Sequence, residues 1–547
     1  MRFLRKVSTY AWFFALLFLA TPARSWWPDF GQRFSLYAAN PLLTIESVDP
    51  WDSNGDPHLR VPGSVHPDVL YFSQGLDGYK FWLFFTPAPE RNSVPWDPSV
   101  TPDWYWERPT LLRSNDGVNW QKTADYTNPL IAPGAPGTWD SSWLADPDIV
   151  YAPGKGPKGE SWFMYYVGIN APDSHVGVAL SNDGKHFTKF AQNPIMPSYT
   201  RCPTVVYEPA TGQFKAWYNW GMYQVGLATS TDGLHWQPYN PTQPGQWGYI
   251  VLSGTPGTYD QGGISHMDVI KQGNQYWMYY LGMPTSDYAN LVIGRAVSSD
   301  GIFWTKDTAP VLTPGINGVW NFWENSPRPV LSLYRPAAVV VDDAMYLYFG
   351  GIDTAQGIPA PSNYDSGLAF STRYSDVSPF YWAYHEIDAV GAAGITAGCG
   401  NHNYCPEQSA KRKEVAVFII AGMGEQGSGH PYNTYFDDVA NDGFAPSINR
   451  MYELGITAGC GYRRFCPETY ALRKEVAVFL VGALHESGSP VPYNTYFDDI
   501  ANDAYAPSIN RILELGITSG CATRRFCPSD QASRAAMAVF DAEAFLW

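Results

Sequence analysis

Residues 66–89 read HPDVLYFSQGLDGYKFWLFFTPAP. A His-Pro-Asp corner heads an apolar strand, a Gly-containing turn follows, and a second apolar strand returns. Shorter versions recur downstream: DPDIVYAPG…SWFMYYVG from Asp146, CPTVVYEPATGQFKAWYNW from Cys202, HMDVIKQGNQYWMYYLG from His266 and RPAAVVVDDAMYLYFGG from Arg335. The apolar stems persist while the polar head changes. A second phrase recurs between them: SNDGVNW (114–120), SNDGKHF (181–187), STDGLHW (230–236) and SSDGIFW (298–304). Asp-Gly between two strands is a hairpin signal. Each unit therefore reads as four strands, and five units predict a five-bladed β-propeller over residues 26–372. SGLAFS at 366–371 supplies the third strand of the fifth blade without the tag, and residues 26–47 are expected to help close the ring.

The chain has 547 residues, too many for one core. Its aromatic content of 16%, with 50 Gly and 45 Pro, suits short strands and tight turns. A formal net charge of -16 repels nucleic acid and excludes it as a partner. Arg2, Arg5 and Lys6, the apolar run Ala11 to Ala20 and the small residues of Ala23-Arg24-Ser25 read as a secretory signal over residues 1–25. No other apolar run has spanning length, so the expectation is an exported chain without a membrane span after cleavage.

The last third repeats every 61 residues, marked by Cys399, Cys460 and Cys521 and by Arg412, Arg473 and Arg534. Each unit has an aromatic-Asp start, an amphipathic helix, a loop ending in Cys-Pro and a second helix. The starting aspartates suit helix N-termini. In an oxidising compartment the pairs Cys399–Cys405, Cys460–Cys466 and Cys521–Cys527 are expected to form disulfides. Two thiols and no regularly placed His make a poor zinc site. Cys202 stands alone and is expected to be a buried thiol.

These units, at 373–434, 435–495 and 496–547, resemble surface-layer homology repeats. The tetrads opening their second helices are Lys411-Arg412-Lys413-Glu414, Leu472-Arg473-Lys474-Glu475 and Ser533-Arg534-Ala535-Ala536. The resemblance implies an α-helical pseudo-trimer that holds an anionic cell-wall polysaccharide at the cell surface. It carries that role to Arg412, Arg473 and Arg534, whose planar donors suit a carboxylate or phosphate. The tetrads lack their first Thr, and the third also lacks its Glu.

In a propeller the inner strands' heads meet at the axis. His66 and Asp68, Asp146 and Asp148, Arg201 and Cys202, His266 and Asp268, and Tyr334 and Arg335 are the residues brought there. Charges so placed must be paired or solvated, and they suit a polar ligand such as carbohydrate. Trp139, in GTWDSSW, is expected at the rim as a flat face for a sugar ring.

The propeller resembles glycoside hydrolases of families 43 and 32, most closely an uncharacterised branch, through LADPDIVY and the repeated Ser-x-Asp-Gly tags. The resemblance implies three working carboxylates on the first three blades. Asp146 matches the transition-state stabiliser. His66 stands where the first carboxylate is expected, and Arg201-Cys202-Pro203 stands where family 32 has Glu-Cys-Pro. The acid and base must then come from Asp68, Asp268, Glu107 (in WERP) and Glu324 (in WENSP). Glu107 or Glu324 is assigned as acid and Asp68 or Asp146 as base, since glycoside hydrolysis needs two unlike carboxyls facing each other. His66, Asp148, Arg201, His266 and Arg335 are assigned to substrate. No cofactor is required, although His66 and His266 offer ligands for a metal ion on the axis. The function expected is that of an exported, surface-held glycoside hydrolase acting on a poly- or oligosaccharide. The alternatives are a carbohydrate-binding propeller without catalysis and a structural surface protein.

Overall fold

The computed structural model describes residues 31–32, 34–37, 40, 42, 64–87, 107–170, 173–221, 223–286, 290–314, 321–323, 326–329, 332–342, 344–352 and 364–547. The expected signal segment and Glu324 lie outside these residues. Five antiparallel sheets form the blades. Their innermost strands are Ser64–Leu76, Trp143–Tyr151, Thr200–Glu208, Gly263–Gln272 and Ser332–Val341. The ring closes through the N-terminal segment: Ser35–Leu36 pairs with Tyr364–Ser371 as the outermost strand of blade five. A two-stranded hairpin, Asn321–Trp323 with Ser326–Pro329, stands before blade five.

Apolar faces of neighbouring sheets interleave to make the core. Trp82 and Trp162 are fully buried between blades one and two, and Trp217 and Tyr280 between blades three and four. The Asp-Gly tags act as turns, as expected. In each, the Ser hydroxyl meets the Asp carboxylate and accepts the Gly N–H, while the carboxylate accepts the backbone N–H groups of the two residues after the Gly. The tags also tie blades together. Tyr348 of blade five donates to the Gly117 carbonyl of blade one, and Trp217 of blade three to that of Gly301 in blade four.

The register slips at the head of all five inner hairpins, between Val65 and Asp68, Ala145 and Asp148, Trp217 and Asn219, Ser265 and Met267, and Tyr334 and Pro336. These are β-bulges, which re-aim side chains. His66, Asp146, Cys202 and His266 take left-handed φ values of 54°, 52°, 45° and 37° there. Such values are uncommon for residues with a Cβ and concentrate at functional sites.

The C-terminal region is helical, with α1 Tyr384–Ala392, α2 Arg412–Gly422, α3 Ala445–Glu453, α4 Arg473–Ala483, α5 Ala506–Glu514 and α6 Arg534–Asp541. Three backbone bonds close its pseudo-threefold centre: Ala410 N–H to the Ala532 carbonyl, Ala532 to Ala471, and Ala471 to Ala410. Each alanine is fully buried, where a larger side chain would force the strands apart. The three expected disulfides are present. In the second and third repeats the starting aspartates lie in the first turns of short 3₁₀ helices, Asp437–Val439 and Asp498–Ile500, but their side chains make no cap there. Asp376, Asp438 and Asp499 accept backbone N–H groups from the Cys-closed loops, at Tyr404 and Cys405, Phe465 and Cys466, and Phe526 and Cys527. The first repeat packs on the propeller through Phe380, whose ring meets Tyr37, Tyr346 and Phe370. No helix among the described residues is long and apolar enough to cross a membrane.

Candidate active site on the propeller axis

The bulged heads form a tier on the axis, with Asp146 at its centre. His66 Nε2 lies 3.2 Å from Asp146 Oδ1, His266 Nε2 3.7 Å and Arg335 Nη1 3.0 Å. Arg335 Nη2 also donates to the Pro147 carbonyl at 2.9 Å, and the Cys202 thiol reaches Asp146 Oδ2 at 3.5 Å. Both imidazoles are held from behind. His66 Nδ1 meets Thr86 Oγ1 at 2.9 Å and Glu107 Oε2 at 3.0 Å. His266 Nδ1 meets Ser265 Oγ at 2.9 Å, and Asn219 Oδ1 accepts the His266 backbone N–H. The Tyr334 hydroxyl lies 3.0 Å from His266 Nε2.

Burial opposes charge throughout this tier, and the neighbours decide the outcome. For Asp146, His66, His266 and Arg335 outweigh burial and hold its carboxyl well below the usual range. For His66, burial pulls downward, but Asp146 and Glu107 flank the ring and raise its proton affinity. For His266, burial prevails over Asp146, and the charges of His66 and Arg335 add to it, bringing the imidazole down to about 3. Burial, followed by Asp146, pushes the Cys202 thiol well up, so it is no ready nucleophile.

A second tier lies two residues further along each strand and serves a different purpose. Asp68 accepts the backbone N–H of Ile149, Asp148 that of Val205 at 2.9 Å, Thr204 that of Val269 at 3.0 Å, and Asp268 that of Ala338 at 2.6 Å. Each side chain fastens its own blade to the next. The pattern stops at Ala337, which has no acceptor to offer blade one. All three acids are buried, which raises their proton affinity, to about 7 for Asp68 and about 6 for Asp268. Burial and the Asp68 charge lift Asp148 well above the usual carboxylate range.

The structure thus separates the expected site residues. His66, Glu107, Asp146, His266 and Arg335 come together. Asp68, Asp148 and Asp268 are occupied as inter-blade acceptors. Trp139 is packed rather than presented: it stacks on Tyr166 at 5.7 Å and lies over Gly168 and Gly177, where a Cβ would collide with its ring. Arg201 is half-buried, its Nε donating to Ser174 Oγ at 2.7 Å. Thr86, Ser265 and Asn219 were not anticipated. Their sequence signal is adjacency to the heads, along the strand for Ser265 and across the hairpin for Thr86 and Asn219.

His66, Asp146 and His266 each offer one ligand atom, all within 4.8 Å of one another and buried. Two imidazole nitrogens and a carboxylate oxygen form a donor set that divalent transition metals accept. The hydrogen bonds behind both rings match the way metal-ligating histidines are oriented. Arg335 competes for the same carboxylate oxygen, and the acids of the second tier share its charge.

In the helical region the three tetrad arginines differ. Arg412 pairs with Glu475 at 2.6 Å and Arg534 with Glu414 at 3.1 Å, each across a repeat boundary. The corresponding partner of Arg473 would be residue 536, which is Ala. Arg473 donates through Nε to the Phe526 carbonyl and lies over the Phe526 and Phe540 rings.

Residues 496–538 match the S-layer homology domain. That match implies attachment to the cell envelope. The chain is also 23% identical, over 352 residues, to an A type blood N-acetyl-α-D-galactosamine deacetylase of Flavonifractor plautii; the match takes in 55% of this chain and 42% of the relative. The chain thus spans less than half the length of this curated relative. A crystal structure of an N-acetylgalactosamine deacetylase from F. plautii, with blood group B trisaccharide, is similar at TM-score 0.41 and 19% identity, covering 56% of this chain and 89% of that one. A glycosyl hydrolase from Bacteroides ovatus is similar at TM-score 0.41 and 18% identity, covering 58% and 85%.

Proposed function

We propose that the protein is an envelope-attached carbohydrate hydrolase with a divalent-metal site on the propeller axis, and that it opens the amide of an N-acetylated sugar. The observation that carries this reading is the convergence of His66 Nε2 and His266 Nε2 on Asp146 Oδ1, with both Nδ1 positions already taken. The F. plautii relative, an N-acetyl-α-D-galactosamine deacetylase, supports the choice of bond. The envelope attachment rests on the S-layer homology match.

A metal ion held by these three residues would supply Lewis acidity toward a carbonyl oxygen and acidify a water. The chain's own groups do the rest. Glu107 accepts from His66 Nδ1 behind the ring and holds the imidazole with Nε2 toward Asp146, and the proton that the attacking water loses goes to the departing nitrogen. Tyr334 can donate its hydroxyl proton to an oxyanion beside His266. Arg335 holds Asp146 ionised and oriented. Water adds to the acyl carbon, the C–N bond breaks, and acetate and a free amine leave.

The glycosidic reaction expected from sequence fits this geometry poorly. It needs two carboxyls facing each other across a bond. Here Glu107 and Asp146 sit on opposite nitrogens of one imidazole, with the His66 ring between them.

The test is acetate release from N-acetylated oligosaccharides by the purified chain, run beside a reducing-end assay. Acetate release that a chelator abolishes, zinc or manganese restores and Asp146→Asn lacks would support the proposal. Reducing ends without acetate would replace it with glycoside hydrolysis. Saturable binding without either product would leave a binding propeller.

A further inference from the structure

The funnel face carries an aromatic surface that the axial tier does not use. Tyr199 is 67% exposed. Its φ is +72°, a left-handed conformation that bulky residues rarely adopt. Exposed aromatics are common, but one held in such a backbone and braced by a second ring calls for a function. Tyr199 immediately precedes the inner strand of blade three, three residues before the axial Cys202. Its carbonyl accepts the Gly221 N–H at 2.9 Å, and Thr200 and Arg201 pair with Trp220 and Asn219. This register sets the Tyr199 and Trp220 rings 6.3 Å apart at an angle of 44°. Trp220 is half-buried and lies against Gly248, where a Cβ would sit 2.9 Å from the indole, so its ring is held in place.

The same register places the two rings at the catalytic end of the sheet. Asn219, next to Trp220, holds the backbone of His266. The Arg201 charge reaches both His266 and Cys202. A flat, amphipathic, pre-positioned pair of rings beside a polar funnel suits the apolar face of a pyranose.

We propose that Tyr199 and Trp220 form a stacking shelf for a second sugar ring, the neighbour of the ring whose substituent reaches the axis. The shelf makes the site selective for oligosaccharides over monosaccharides. This inference rests on the carbohydrate reading above but not on which bond is cut.

The experiment uses the full chain, as wild type, Tyr199→Ala and Tyr199→Phe, on one array of immobilised N-acetylated mono-, di- and tetrasaccharides. Thermal unfolding checks that the variants are folded, and acetate release is followed on every glycan retained. The expected result is an approximately tenfold loss of affinity for di- and tetrasaccharides in Tyr199→Ala, no change for monosaccharides, and recovery in Tyr199→Phe. Equal binding by wild type and Tyr199→Ala, or an equal loss for all lengths, would overturn the shelf. Tyr199-dependent oligosaccharide binding without acetate release would keep the shelf and discard the deacetylation. No retention of any glycan by wild type would remove both.

Discussion

The imidazole rings of His66 and His266 lie parallel, their centroids 5.3 Å apart and their planes 6° from each other. They come from blades one and four, and both turn Nε2 toward one oxygen of Asp146. Burial penalises charge on both rings, but only His66 has Glu107 behind it as well as Asp146 in front. Proton affinity is therefore raised on His66 and lowered on His266. Two stacked cations in a buried site would repel strongly.

If this pair holds a metal ion with Asp146, removing either ring should release it. Elemental analysis of the purified chain is expected to find one divalent ion per molecule, lost in His66→Ala and His266→Ala. Ser265→Ala, which frees His266 Nδ1 without touching a ligand, should weaken metal affinity by about tenfold. A metal content unchanged by all three substitutions would remove the axial site.

Asp148 is expected to matter as an acceptor and not as a charge. Asp148→Asn keeps an oxygen for the Val205 N–H and removes a carboxyl that burial already disfavours as an anion. It should unfold at or above the wild-type temperature. Asp148→Ala leaves that buried N–H unpaired and should cost about 1–3 kcal/mol. Thermal or urea unfolding of the two variants separates these outcomes.

Arg473 predicts an engineered gain. Glu475 and Glu414 each cap their own helix start and also receive an arginine from another repeat. Ala536→Glu would rebuild this arrangement for Arg473. Its stabilisation should be roughly 1 kcal/mol, since the pair is only partly buried. Arg534→Ala should do the opposite, leaving Glu414 without its partner, and denaturant titration of the helical transition reads both.

Asp541 is a buried carboxyl with no hydrogen-bond partner among the described residues, at a position where the other repeats have Ile419 and Leu480. Burial raises its proton affinity well above the usual range. A raised folded value means that the neutral form is favoured in the fold, so stability is greatest below the unfolded carboxylate range and falls as pH rises. Asp541→Leu should stabilise the helical region by about 2 kcal/mol even where the carboxyl is neutral, by removing an unpaired polar group. The gain should grow between pH 4 and pH 8 in thermal unfolding. A gain that shrinks with pH would contradict the assignment.

The blades were legible because strand alternation and the Asp-Gly turns are local. The site was legible in part. Alternation along a strand assigns His66 and Asp68 to one face, and on that basis both were expected at the axial site, Asp68 for catalysis and His66 for substrate. The bulge at Pro67 breaks the alternation. His66 turns in left-handed backbone toward Asp146, while Asp68 turns to the backbone of blade two. Asp146 and Asp148 part in the same way. Trp139 shows the same limit: its loop was recognised, but the glycines beneath it, Gly168 and Gly177, lie on two other strands.

From sequence alone, then, came the five blades, the three 61-residue repeats, the pairing of six cysteines and the set of polar heads. Each depends on periodicity, turn chemistry or spacing within a few residues. Tertiary packing decided the rest. Ring closure selected which heads meet, placed Glu107 behind His66 and turned three acids into ties between blades, while the packing of the helical repeats decided that the tetrad position lacking its Glu, Ala536, is the one facing Arg473. Those outcomes depend on contacts between residues far apart in the chain, and on burial that sets each group's charge only once the neighbours have assembled.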